Sequence, residues 1–87
     1  MLQNIELSDN FKKSFRKLPE NVRFQFAKKR TLFYENPFIR VLKTHKLKGQ
    51  LKDYWSFSVT YSCRVIFKFV NNHKVIFYDI GDHQVYH

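Results

Sequence analysis

A basic run in the middle of the chain contains the first side chains that could do chemistry. The run from Lys43 to Lys52 has four lysines and one histidine, His45. An imidazole exchanges a proton near pH 7, so His45 is a candidate general base. Lysine ammonium groups bind phosphate oxygens as compact positive charges. We expect Lys46, Lys48 and Lys52 to hold a phosphate-bearing substrate; the alternative is a solvated, positively charged loop.

Arg64 is a lone cation in an otherwise apolar, strand-like segment. A guanidinium held on a strand can clamp a phosphate and offset the charge that develops on it during a reaction. The alternative is structural. If Asn71-Asn72 is a two-residue turn, Arg64 lies opposite Asp79 on the next strand, and the two form a cross-strand ion pair. Both interpretations can hold together.

The C-terminal residues, from Gly81 to His87, bring two histidines and a tyrosine together at the end of a predicted strand. His83 can donate a proton, and Tyr86 can stack on a base, and an RNA-cleaving site requires both functions. A polar tail without chemistry is the alternative.

The charge of the chain indicates a polyanionic partner. The chain has 16 Lys and Arg residues and 7 Asp and Glu residues, which gives a formal net charge of +9. Nucleic acid is the first candidate, because each neutralised phosphate releases a counterion and adds affinity. An anionic membrane surface is a weaker one. No segment approaches the ~20 apolar residues of a spanning helix, and the opening residues lack the pattern of a signal peptide.

The single cysteine, Cys63, cannot form an internal disulfide, and no Cys/His spacing is typical of a zinc site. Cys63 and Trp55 are expected to pack in the interior rather than to do chemistry. We therefore expect a cytoplasmic protein that uses no metal and no other cofactor.

The first half of the chain is predicted to form a strand and a helical hairpin. Ile5 and Leu7 alternate in a short strand, and Ser8 is placed to cap a helix that extends to about Lys17. A second helix is predicted from Pro19 to about residue 35, where Asn36-Pro37 ends it.

From Leu47 onward the apolar residues recur every second position, which indicates strands. Trp55 begins one such segment, Cys63 a second and Val75 a third, and the last two are joined by the asparagine turn. The predicted fold class is α+β. An N-terminal strand and a helical hairpin pack on one face of a mainly antiparallel sheet of four or five strands, in one domain covering residues 1–87.

In order and spacing, these segments resemble the RelE/ParE toxin superfamily, and most closely its RelE and YafQ-like branch. The resemblance covers nearly the whole chain. It is carried by Asn36-Pro37, His45-Lys46-Leu47-Lys48-Gly49, Tyr54-Trp55-Ser56, Cys63-Arg64-Val65-Ile66-Phe67, Asp79-Ile80-Gly81-Asp82-His83 and Val85-Tyr86.

The resemblance implies the toxin of a type II toxin-antitoxin pair. Such a protein is a ribosome-dependent endoribonuclease that cleaves mRNA in the A site without a metal, and an acidic antitoxin holds it inactive. It implies contact with operator DNA only through the antitoxin. The matching positions give His45 the role of general base, Arg64 that of charge stabiliser, His83 that of general acid, and Tyr86 that of substrate orientation.

The sequence departs from the YafQ-like pattern at two central positions. Ser58 and Ser62 stand where those proteins have a histidine and an aspartate, so whether the two serines contribute to the site is open. The spacing near the C-terminus also leaves open whether Tyr86 or His87 takes the terminal role, and His87 is kept as a candidate substrate-binding residue.

Two other classes of function are compatible with the sequence. A ParE-like protein uses the same fold to inhibit DNA gyrase and needs no catalytic histidines. A basic RNA-binding module without activity is the other alternative. The histidines at the matching positions favour the ribonuclease over both.

Overall fold

The computed structural model describes residues 4–82. These residues form two helices and five strands, with short 3₁₀ turns at Arg40–Leu42 and Gly49–Leu51. The elements are β1 (Asn4–Leu7), α1 (Asp9–Arg16), α2 (Glu20–Glu35), β2 (His45–Lys46), β3 (Trp55–Ser58), β4 (Arg64–Asn71) and β5 (Lys74–Gly81). Neither helix in this part of the chain is long and apolar enough to span a membrane.

Short polar side chains set the ends of the helices. The Ser8 hydroxyl accepts a hydrogen bond from the Phe11 amide (3.0 Å) and donates one to the Tyr78 carbonyl (2.7 Å). It therefore caps α1 and ties it to β5. Pro19 precedes the first residue of α2, and Asn36 ends that helix in an extended conformation before Pro37. The predicted helical hairpin is confirmed.

The sheet has the strand order β1-β5-β4-β3-β2. β1 pairs with β5 in parallel, and the other three pairings are antiparallel. The predicted α+β class, with a mainly antiparallel sheet, is confirmed.

Both helices pack on one face of this sheet, where phenylalanine rings form the centre of the core. The Phe33 side chain from α2 is fully buried, with its ring centroid 4.7 Å from that of Phe57 on β3 and 4.9 Å from that of Phe67 on β4. Aromatic rings at such distances contribute more stabilising free energy than the burial of their surface area alone. The core is therefore built by alternate residues of the strands, as the period of two predicted.

The turn between β4 and β5 differs from its prediction. Asn71 pairs with Lys74, so the turn is Asn72-His73, and the Asn71 side chain accepts a hydrogen bond from the His73 amide (2.8 Å). An asparagine before a turn commonly makes this bond, which moves the turn one residue along the chain.

This displaced turn changes the partner of Arg64, because moving a two-residue turn by one residue moves each partner by two positions; the two further irregularities in the β4–β5 register offset each other. Arg64 lies opposite Gly81, and Asp79 lies opposite Ile66. The predicted Arg64–Asp79 cross-strand pairing is wrong. The Asp79 carboxylate instead accepts a hydrogen bond from the Ile80 amide (2.8 Å).

Candidate active site

The face of the sheet opposite the helices, hereafter the open face, carries the residues predicted to do chemistry; Ser56 and Ile66 at its centre are buried, whereas His45 is exposed. Strand pairing aligns His45, Ser56, Ile66 and Asp79 in one row across β2, β3, β4 and β5. Directly paired residues project from the same face. Arg64 is two positions from Ile66 on β4 and therefore lies on that face too.

The pairing register places His45 and Arg64 on the same face of the sheet, two strands apart. With strands about 4.8 Å apart and a rise of about 3.4 Å per residue, their Cα atoms are roughly 12 Å apart. Both side chains project from the same face, so a substrate that spans this distance along the face can contact both. The structure thus places two predicted catalytic residues on one surface, although Arg64 follows His45 by 19 positions in the chain.

The environment of His45 determines which ring nitrogen can accept a proton. The side chain is exposed, and its Nδ1 atom lies 3.0 Å from the Lys43 carbonyl oxygen. A carbonyl oxygen only accepts hydrogen bonds, so Nδ1 carries the proton. In the neutral ring, Nε2 then has the lone pair and can accept a proton from a substrate.

Arg64 is held by a neighbour on β3. The guanidinium Nη1 donates to the Ser58 hydroxyl oxygen (2.8 Å), and the pair is half-buried. Ser58 and Arg64 also lie opposite each other in the β3–β4 register. Because a guanidinium has five N–H donors, this bond orients the group and leaves it able to bind phosphate oxygens. Ser58 is therefore a positioning residue for Arg64.

Ser62 is the other serine whose contribution to the site the sequence left open. Ser62 is exposed in the loop between β3 and β4, where its backbone amide donates to the Thr60 hydroxyl oxygen (3.3 Å). That bond shapes the loop. The structure shows no contact that connects the Ser62 side chain to His45 or Arg64 in the described part of the chain.

The three predicted substrate-binding lysines are all exposed. Lys46 pairs with Trp55, whose ring packs on the helix side of the sheet against Phe38 and Phe69. Lys46 therefore projects to the side opposite His45, at the edge of the sheet. Lys48 and Lys52 flank the 3₁₀ turn that follows β2.

The C-terminal candidates, His83, Tyr86 and His87, lie outside the described residues. β5 ends at Gly81, directly opposite Arg64 and two positions before His83 in the sequence. Within residues 4–82, no three His, Cys, Asp or Glu side chains lie together so as to hold a metal ion.

An aromatic pair on the open face was not predicted from the sequence. The Tyr54 and Tyr78 ring centroids are 5.4 Å apart, and the Lys68 ammonium lies 5.7 Å from the Tyr54 centroid. Aromatic rings on a sheet face are a common means of stacking RNA bases. The signal was available, because Tyr54 and Tyr78 alternate with the inward-facing Trp55 and Phe77.

Cys63 belongs to the core, as predicted, with only 6% of its surface exposed. Burial, and to a lesser extent the negative charge of Asp82, raises the pKa of its thiol to about 11. A thiol with such a pKa is protonated near neutral pH and is a poor nucleophile. Cys63 therefore has no place in the candidate chemistry.

The raised pKa predicts a pH-dependent loss of stability. Between an unfolded pKa of 9.0 and a folded pKa of about 11, the unfolded thiol has lost its proton while the folded one keeps it, which favours unfolding. We expect the free energy of unfolding to fall with rising pH in that range, by up to about 1.4 kcal/mol per pH unit. Urea unfolding of the wild type and Cys63→Ala measures this. Equal slopes in the two proteins would contradict it, since all other titrations are shared.

Comparison with known proteins adds information on the fold. By sequence, no protein-family model and no curated protein matches the chain. By structure, the chain is similar to YafQ from E. coli strain BL21(DE3), with a TM-score of 0.79 and 22% identity over 99% of this chain and 98% of that one.

Two further similar structures come from other bacteria. A YoeB/ParE toxin from Agrobacterium tumefaciens has a TM-score of 0.77 and 14% identity, over 93% of this chain and 99% of that one. The toxin-antitoxin complex RelBE2 from Mycobacterium tuberculosis contains a chain with a TM-score of 0.77 and 14% identity, over 95% and 100% respectively. The chain has the RelE/YafQ-like toxin fold.

Proposed function

We propose, from this fold and from the open face, that the chain is the toxin of a type II toxin-antitoxin pair and a ribosome-dependent endoribonuclease. The observation that supports this most is the placement of two polar groups on one surface. His45 is oriented by the Lys43 carbonyl, and Arg64 is oriented by Ser58. An acid-base cleavage of RNA needs a base and a cation in this arrangement.

The reaction begins at the ribose 2′-hydroxyl. His45 Nε2 takes the hydroxyl proton, and the 2′-oxygen forms a bond to the adjacent phosphorus. Arg64 offsets the additional charge on the phosphate oxygens. The bond from phosphorus to the 5′-oxygen then breaks, and His83 protonates that oxygen. The products are a 2′,3′-cyclic phosphate and a free 5′-hydroxyl, and DNA cannot react because it lacks the 2′-hydroxyl.

The remaining predicted residues bind substrate in this proposal. Lys46, Lys48 and Lys52 provide positive charge for phosphates of mRNA or of the ribosomal A site. Tyr86 or His87 orients the nucleotide at the cleaved bond.

The proposed regulatory partner is an acidic antitoxin, and contact with operator DNA is made through it. A net charge of +9 favours a polyanionic or acidic partner. One of the similar structures is itself a toxin-antitoxin complex. Since its target is the translating ribosome, we place the protein in the cytoplasm.

Primer extension on an mRNA translated in a purified system tests the proposal. We expect cuts that require ribosomes and that are lost in His83→Ala. Intact mRNA with the wild type would overturn the ribonuclease function. Inhibition of DNA supercoiling would then support a gyrase inhibitor, and salt-sensitive RNA binding without cleavage would support a binding module.

A further inference from the structure

A cleft of about 300 Å³ lies beside Arg64, where the loop between β3 and β4 meets α2 and the segment before β2. Its volume is at the lower end of the range for small-ligand sites, which suits a group of the size of one nucleotide. Its lining includes Lys29, Val41, Lys43, Tyr61 and Arg64.

Three cations face this cleft, and none of its lining residues is acidic. The half-buried Lys29 ammonium donates to the Val59 carbonyl (2.9 Å), and Arg64 donates to a serine hydroxyl. Lys43, on the segment before β2, is exposed. Neutral oxygens orient two of these cations but do not neutralise them. Like charges around a shared cleft repel one another, so the arrangement favours a bound anion.

The backbone of Lys43 connects the cleft to His45. Lys43 has φ of 52°, and it is the one non-glycine residue with positive φ in the described part of the chain. This left-handed conformation costs energy for a residue with a Cβ atom. It directs the Lys43 carbonyl to His45 Nδ1 while the residue lines the cleft. Lys43 therefore belongs both to the cleft and to the surroundings of His45.

The rim of the cleft is aromatic and apolar. The Tyr61 side chain is 96% exposed, and Val41 beside it is half exposed. A single-stranded nucleic acid is bound by a combination of cations for the phosphate and an accessible aromatic ring for the base. A free inorganic anion would make no use of Tyr61.

We propose that this cleft is a nucleotide subsite for single-stranded RNA, next to the cleaved bond. Lys29 and Lys43 bind a phosphate, and a base stacks on Tyr61. Arg64, at the boundary with the open face, is shared with the reacting phosphate. The assignment to RNA rests on the proposed function. It means that the RNA bound at the candidate active site also contacts α2.

Binding of a fluorescent 2′-O-methyl oligoribonucleotide tests the subsite without chemistry or ribosomes, because this RNA has no free 2′-hydroxyl. Fluorescence anisotropy over a salt series gives affinity and its salt dependence. We expect Lys29→Met and Lys43→Asn each to weaken binding and to reduce the slope of log affinity against log salt by about 0.7. Asparagine tolerates the left-handed conformation of position 43.

Lys28→Met is the matched control. Lys28 is adjacent to Lys29 on α2, but its ammonium lies over the Phe24 ring (4.9 Å) rather than in the cleft. Lys28→Met removes the same charge as Lys29→Met, but it should leave the slope of log affinity against log salt as in the wild type. Tyr61→Ala should weaken binding at least about 5-fold, whereas Tyr61→Phe should not. Tyr61 is so exposed that neither change threatens the fold.

The outcomes separate the subsite from the proposed function. Equal effects of Lys28→Met and Lys29→Met, or no effect of Tyr61→Ala, would overturn the subsite even if the wild type cuts mRNA on ribosomes. Absence of binding by the wild type at low salt would also overturn it. Binding through the cleft by a protein that cuts no mRNA would overturn the ribonuclease function and leave the subsite standing.

Discussion

His45→Asn should lower the rate of mRNA cleavage on the ribosome by about 10²- to 10⁴-fold, the usual contribution of a general base. The asparagine amide can still donate to the Lys43 carbonyl from near the position of Nδ1, but it has no basic atom in place of Nε2. The change therefore removes the base and keeps its local hydrogen bond. Because His45 is exposed, the free energy of unfolding should change little.

Single-turnover primer extension with excess toxin measures this rate directly. His73→Asn is the control, because His73 is an exposed histidine in the turn between β4 and β5. It should cut at the wild-type rate. A loss of only a few-fold in His45→Asn would exclude the general-base role.

Arg64→Met should lower the cleavage rate by about 10²- to 10³-fold. Enzymes that lose one oriented hydrogen-bond donor to a charge developing in the transition state are slowed by a similar factor. In the proposed mechanism the guanidinium stabilises the transition state more than the bound substrate, so the loss should appear in kcat rather than in KM. Arg64→Lys should recover only part of the rate, because an ammonium keeps the charge and loses the two-pronged geometry.

Ser58→Ala extends this test to the orientation of Arg64. It removes the hydroxyl that accepts from Nη1 while the guanidinium stays, so its loss of rate should be smaller than that of Arg64→Met. Arg16→Met on the exposed end of α1 is the charge-matched control. If Arg64→Met raised KM and left kcat unchanged, Arg64 would be a substrate-binding residue only.

The elements of this fold are largely predictable because local chemistry specifies them. Ser8 caps α1 through its own side chain, and Asn36-Pro37 cannot continue α2. The alternation of apolar residues along β3 and β4 identifies the face that meets the helices. Each of these signals acts within a few residues of the chain.

The register between strands is less predictable, since it depends on where the turn falls. The shift of the turn by one residue, to Asn72-His73, moves the partner of Arg64 by two positions, from Asp79 to Gly81, while the two irregularities along β4 and β5 offset each other. Both Asn71 and Asn72 suit a turn, so the sequence alone left the position of the turn, and with it the register, open.

Composition, hydropathy period and residue type were enough to predict the α+β class, the basic character of the protein, and His45 and Arg64 as candidates, because these are local properties. Which of the predicted residues share a surface became known from the fold. It placed His45 and Arg64 on one open face, sent Lys46 to the other side, and brought Lys29 from α2 to the cleft beside Arg64. Proximity between distant segments is set by how the helices pack on the sheet, which no local pattern encodes.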